Sequence, residues 1–90
     1  MARVIISIKV YPADAEVNLD ALKGRIKEEI PEYASIHRFD EEPIAFGLTA
    51  LIVHIILPEE RAGGIDEVER ALKGTEGVGE IETVMVRRAP

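Results

Sequence analysis

Cysteine is absent from this 90-residue chain, so neither a disulfide nor a thiolate metal site can form. Tryptophan is absent too, and aromatic residues make up only 4% of the chain, which leaves little on which nucleic-acid bases could stack. Cations are in the minority, with 11 Lys and Arg against 17 Asp and Glu and a net charge of −6. Phosphate-backbone binding draws its affinity from clustered bases, so no nucleic acid is an expected partner. The acidity suits a partner that is itself basic or holds a cation. No apolar run approaches the ~20 residues of a membrane span. The longest, Leu48 to Leu57, is broken by Thr49 and His54. The opening Met1-Ala2-Arg3-Val4 runs straight into a strand pattern without the features of a signal-peptide cleavage region. The cytoplasm is the expected compartment, and no membrane partner is expected.

What is present is a core. Hydrophobic residues are 47% of the chain, enough for one folded domain over residues 1–90. From Arg3 to Tyr11 the pattern alternates, with Val4, Ile6, Ile8 and Val10 on one face and Arg3, Ser7, Lys9 and Tyr11 on the other, as in a half-buried strand. Pro12-Ala13-Asp14 breaks it. Asn18 offers an N-cap, and Leu19, Leu22, Ile26 and Ile30 recur at helical spacing until Pro31. Gly24 inside that helix predicts close packing, since glycine is otherwise unfavourable there. Ser35 to Asp40 reads as a second strand, Asp40-Glu41-Glu42-Pro43 as an acidic turn, and Leu48 to Leu57 as a central third strand. Pro58 to Gly64 reads as a loop. Ile65, Val68 and Leu72 line a second helix that Gly74 closes. Gly77 and Gly79 frame a turn before a last strand, Ile81 to Arg88. The order β-α-β-β-α-β predicts an α+β ferredoxin-like sandwich, with a four-stranded antiparallel sheet and both helices on one face.

Few residues carry enzyme chemistry. No serine or threonine sits in a nucleophile-elbow context. His37 and His54 lie on strands without metal-ligand spacing. His37 reads as a surface residue and His54 as a hydrogen-bonded sheet histidine. Gly63-Gly64 precedes a helix whose first turn already holds Asp66 and Glu67, so it reads as a hinge and not as an anion site. The triplet Asp40-Glu41-Glu42 lacks the alternating oxygen ligands of a calcium loop and reads as a solvated turn. No metal, no cofactor and no catalytic residue is expected.

The segment Glu42-Pro43-Ile44-Ala45-Phe46-Gly47-Leu48 stands apart. A phenylalanine beside a glycine at the mouth of a strand presents an aromatic side chain outward, and Gly47 permits another backbone to approach. Near the C-terminus, Arg87 and Arg88 make a local positive site in an acidic chain. These segments, together with the opening strand and helix, Gly74 through Val78, and Val84-Met85-Val86-Arg87-Arg88, make the chain resemble the archaeal translation elongation factor 1-beta family. The resemblance covers essentially the whole chain and implies a guanine-nucleotide exchange domain, not an enzyme. The implied partner is the GTPase elongation factor 1-alpha. The resemblance also implies that Phe46, within the partner-binding segment Glu42, Pro43, Ile44 and Gly47, docks on the GTPase. Arg88, with Arg87 beside it, is implied to approach the Mg²⁺ and phosphate region, where eukaryotic relatives carry a lysine. Three other readings compete. A small-molecule-binding regulatory module of the same fold is the alternative. An RNA-binding domain lacks its stacking aromatics. An acylphosphatase-like hydrolase would need an arginine-bearing loop where this chain has Pro12-Ala13-Asp14-Ala15-Glu16.

Overall fold

The computed structural model describes residues 2–89, with Ala89 described by its backbone alone. Strand β1 runs Arg3–Pro12, helix α1 Leu19–Glu29, β2 Ser35–Pro43, β3 Thr49–Pro58, α2 Gly64–Lys73 and β4 Val78–Ala89. The strands form one antiparallel sheet in the order β2-β3-β1-β4, the expected ferredoxin-like arrangement. β3 is central, as its apolar content predicts.

One face of the sheet is the core. Ile6, Ile8 and Val10 of β1 and Leu51, Val53 and Ile55 of β3 are fully buried against Leu22 and Ile26 of α1 and Val68 and Leu72 of α2. Each such side chain contributes about 1.5–3 kcal/mol through burial. Asn18 caps α1 as expected, its side chain accepting from the Ala21 N–H at 2.9 Å. The opposite face carries no helix, and several of its polar residues bond to one another.

Three expectations are corrected. Asp40, Glu41 and Glu42 are not a turn but the last residues of β2, which continues to Pro43. The pleat separates the acids: Glu41 reaches Lys23 of α1 at 2.9 Å, while Glu42 reaches Lys9 of β1 on the open face at 2.5 Å. Pairing with β3, helped by one cation from β1 and one from α1, holds as strand a segment that local sequence would bend. Gly24 is exposed, and a Cβ there would meet nothing within 4 Å, so it marks no close packing. Gly63 is the left-handed N-cap of α2, its carbonyl accepting from Glu67 at 3.0 Å, a role in the helix terminus where a hinge was expected. The glycine that packing does require is Gly79, where a Cβ would lie 3.1 Å from the Ala13 Cα and 3.2 Å from the Pro12 carbonyl. It lets the start of β4 close against the end of β1.

Two strands carry an extra residue at the same level of the sheet. On β2, His37 is inserted between Ile36, opposite Ile55, and Arg38, opposite His54. On β4, Val84 is inserted between Thr83, opposite Ile8, and Met85, opposite Ser7. Such bulges re-aim the side chains that follow them.

Candidate functional site

The segment from Glu42 to Gly47 is a hairpin end. Pro43, opposite Thr49, is the last paired residue of β2. The half-buried Ile44 then donates its N–H to the Leu48 carbonyl at 2.8 Å, and Leu48 donates back to Ala45 at 3.3 Å. Between them Phe46 lies at φ 62°, ψ 35° and Gly47 at φ 75°. Two successive positive φ angles are the mark of the mirror-image hairpin turns, which suit the twist of the flanking strands. Asparagine, aspartate or glycine is usual at the first of these positions. A phenylalanine there costs roughly 1–2 kcal/mol.

Its ring recovers none of that within the chain, being 96% exposed. Phe39, seven residues earlier, shows the contrast. It packs against the core, with the ammonium groups of Lys23 and Lys27 each 5.9 Å from its ring centre. The sequence indicates that Phe46 faces outward. Its left-handed backbone was missed; the signal for it is the Phe-Gly pair read as a two-residue hairpin turn.

The two arginines do not form one site. Neighbours on a strand point to opposite faces. Arg87, opposite Ile5, is on the open face, and Arg88, opposite Val4, is on the helix side. Arg88 Nη2 meets Glu59 Oε1 at 2.6 Å while staying 81% exposed. Nor does the fold bring the arginines near Phe46. Val4, which pairs with both Arg88 and Leu57, marks one end of the sheet; Val10, which pairs with Leu51, marks the end from which the Phe46 turn projects. Six residues of β1 separate them, about 20 Å at ~3.3 Å each. The candidate groups therefore lie at opposite ends of the sheet.

Between the ends, the open face holds the hydrogen-bonded histidine expected from sequence. His54 Nε2 donates to Asp40 Oδ2 at 2.9 Å, and Nδ1 lies 2.7 Å from Ser7 Oγ, whose hydroxyl donates to it when the ring is neutral. That bond to His54, with help from Arg38, holds the Asp40 carboxyl below the usual carboxylate range. A serine, a histidine and an aspartate in a row invite comparison with a hydrolytic triad. The ring is reversed relative to one, and Ser7 is only 5% exposed in a paired strand. The network ties β1, β3 and β2 together. Among the described residues there is no group of His, Asp and Glu that could hold a metal ion, and no helix long and apolar enough to cross a membrane.

Comparisons with known proteins agree with this architecture. The solution structure of the C-terminal domain of the MgtC protein from Mycobacterium tuberculosis superposes with a TM-score of 0.60, covering 96% of this chain and 87% of that one. At 11% identity the likeness concerns the fold alone. Elongation factor 1-beta from Hyperthermus butylicus is 48% identical over 98% of this chain and 96% of its own length. The protein of the same name from Methanothermobacter thermautotrophicus is 48% identical over 98% of each chain. The family profile of the EF-1 guanine nucleotide exchange domain matches residues 5–89. That match takes in the whole sheet beyond its first two residues, both helices and both candidate ends, and with it the chain belongs to the elongation factor 1-beta family of guanine-nucleotide exchange factors.

Proposed function

We propose that the chain speeds GDP release from the cytoplasmic translation GTPase elongation factor 1-alpha by engaging it at both ends of the sheet. The observation that carries this reading is Phe46, almost wholly exposed on a backbone conformation that phenylalanine rarely adopts. Exposure and strain are both unfavourable in the isolated chain, and a pocket on a partner relieves the first. Ile44 and Gly47 set the turn, Pro43 ends the strand pairing, and Lys9 holds Glu42 in place. Phe46 supplies docking energy in this reading.

Arg88 supplies the perturbation. A GTPase holds GDP through its phosphate loop and Mg²⁺. A cation brought to that region repels the metal and pairs with the acidic groups around it. Arg88 already binds a carboxylate through Glu59, so docking exchanges one carboxylate partner for another. Arg87 sits on the opposite face and cannot reach the same group at the same time. GDP then loses part of its binding energy, and by linkage GDP weakens the factor in return. Exchange makes and breaks no covalent bond.

The test is release of a fluorescent GDP analogue from elongation factor 1-alpha at two Mg²⁺ concentrations. Acceleration at substoichiometric factor is expected, with a smaller effect at low Mg²⁺, where spontaneous release is already fast. No acceleration with the cognate GTPase overturns the reading.

A further inference from the structure

Around Arg38 and Arg87 the open face of the sheet gathers positive charge locally, in a chain whose net charge is −6. Across the sheet, Arg38, His54, Ser7 and Met85 stand opposite one another in one row, and Arg87 lies in the adjoining row opposite Ile5. Arg38, Arg87, His37 and His54 line a recess of about 300 Å³ together with Ser7, Ile5 and Met85. The two bulges build it. His37 is the inserted residue of β2, and the insertion of Val84 in β4 turns Met85 and Arg87 toward the open face.

The donors around this recess are largely unspent. Among the described residues, neither the Arg87 nor the His37 side chain has a hydrogen-bond or ion-pair partner. Arg38 uses only Nε, on Asp40 Oδ2 at 3.2 Å, which leaves both terminal nitrogens. Asp40, the one acid in this network, is already engaged by Arg38 and His54. Two guanidiniums against one carboxylate leave the recess with a net positive charge even when both histidines are neutral. Of the other acids on this face, Glu42 pairs with Lys9, Glu82 lies opposite Lys9 and accepts from Tyr11, and Glu80 lies opposite Tyr11, further along β4 from the recess.

We propose that this recess is a binding site for a small phosphate-class oxyanion, held by the guanidiniums of Arg38 and Arg87 and the imidazole of His37. Planar guanidinium forks match tetrahedral oxyanions with paired donors. No Phe, Tyr or Trp lines the recess, which leaves imidazole and guanidinium as its only stacking surfaces, and this favours a phosphate group over a polynucleotide. The ion has two possible sources, an inorganic phosphate or the terminal phosphate of a free nucleotide.

The test is an NMR titration of the full chain with sodium pyrophosphate at fixed ionic strength, without the GTPase. Amide shifts should saturate and centre on His37, Arg38 and Arg87. Arg38→Gln should weaken binding roughly tenfold, while Lys73→Gln, on α2, should leave it unchanged. Parallel titrations with orthophosphate and with GDP identify the source: saturation by both assigns the site to the phosphate group, and saturation by orthophosphate alone assigns it to the free ion. Shifts that fail to saturate, or an Arg38→Gln variant that titrates like the parent, overturn the proposal. So does an RNA oligomer that binds across the whole open face where pyrophosphate does not. Because no GTPase is present, either result leaves the exchange reading untouched. Arg38→Gln should also retain parental exchange activity.

Discussion

The two ends of the sheet are built on opposite principles. At the Phe46 end, a tight turn fixes an apolar ring by backbone geometry, with hydrogen bonds from Ile44 to Leu48 and from Leu48 to Ala45 closing the turn beneath it. At the Arg88 end, a long flexible cation is held only by an exposed ion pair to Glu59, of a kind worth about 0–1 kcal/mol. Rigidity suits a group that must present the same shape at every encounter. A weak tether suits a group that must leave its resting partner to reach another. In the proposed reading the difference separates docking from perturbation, and substitutions test that separation.

The most disruptive change should be Arg88→Ala. It is expected to lower the catalysed rate of GDP release about 100-fold, a loss of ~2.7 kcal/mol, while the Kd for the nucleotide-free GTPase moves less than about threefold. Equal losses in rate and affinity would erase the distinction between the ends. Phe46→Ala should do the reverse, weakening docking by about 2 kcal/mol or ~30-fold in Kd, with the maximal rate at saturating factor largely kept.

Phe46→Asn goes further, because asparagine suits the left-handed position. It should dock as poorly as Phe46→Ala, yet unfold about 1 kcal/mol later in urea than the parent. A variant less stable than the parent would show that the ring supports the fold. Gly24→Ala, on an exposed turn of α1 away from both ends, should stabilise by up to ~1 kcal/mol and raise Tm by several degrees. Its exchange activity should not change.

The smallest effect concerns pH and the network between the ends. Asp40 and Glu67 are both held below the usual carboxylate range, Asp40 first by its bond to His54 and Glu67 first by the Tyr33 hydroxyl. A depressed carboxylate contributes stability that is fully present above its unfolded-state pKa and lost as pH falls through the folded one. Stability should therefore decline through the acid range, and Asp40→Asn should make that decline shallower. An unaltered acid limb in chemical denaturation would remove Asp40 from the account.

Much of the fold could be read from local pattern. The alternation in β1, the Asn18 cap and the helical spacing of Leu22 and Ile26 are short-range signals, and they sufficed for element order and core. The acidic end of β2 was not legible, because its partners Lys9 and Lys23 lie 33 and 18 residues away. The site was legible in its residues but not in its arrangement. Phe46 stands out in the sequence, but its backbone angles follow from closing a two-residue hairpin. Arg87 and Arg88 read as one charge along the chain, and the strand pleat divides them. The oxyanion recess depends on two insertions in strands that lie at opposite edges of the sheet, a coincidence in space that no window of sequence contains.

The placement of the two groups also makes β1 a ruler. Its run from Val4 to Val10 sets the reach between the Phe46 and Arg88 ends, and each residue added or removed there would change that reach by about 3.3 Å. The same change would turn every later side chain to the other face of the sheet. Length and orientation are therefore not separately adjustable. A GTPase matched to this span can tolerate altered side chains along the strand far more readily than a single insertion in it.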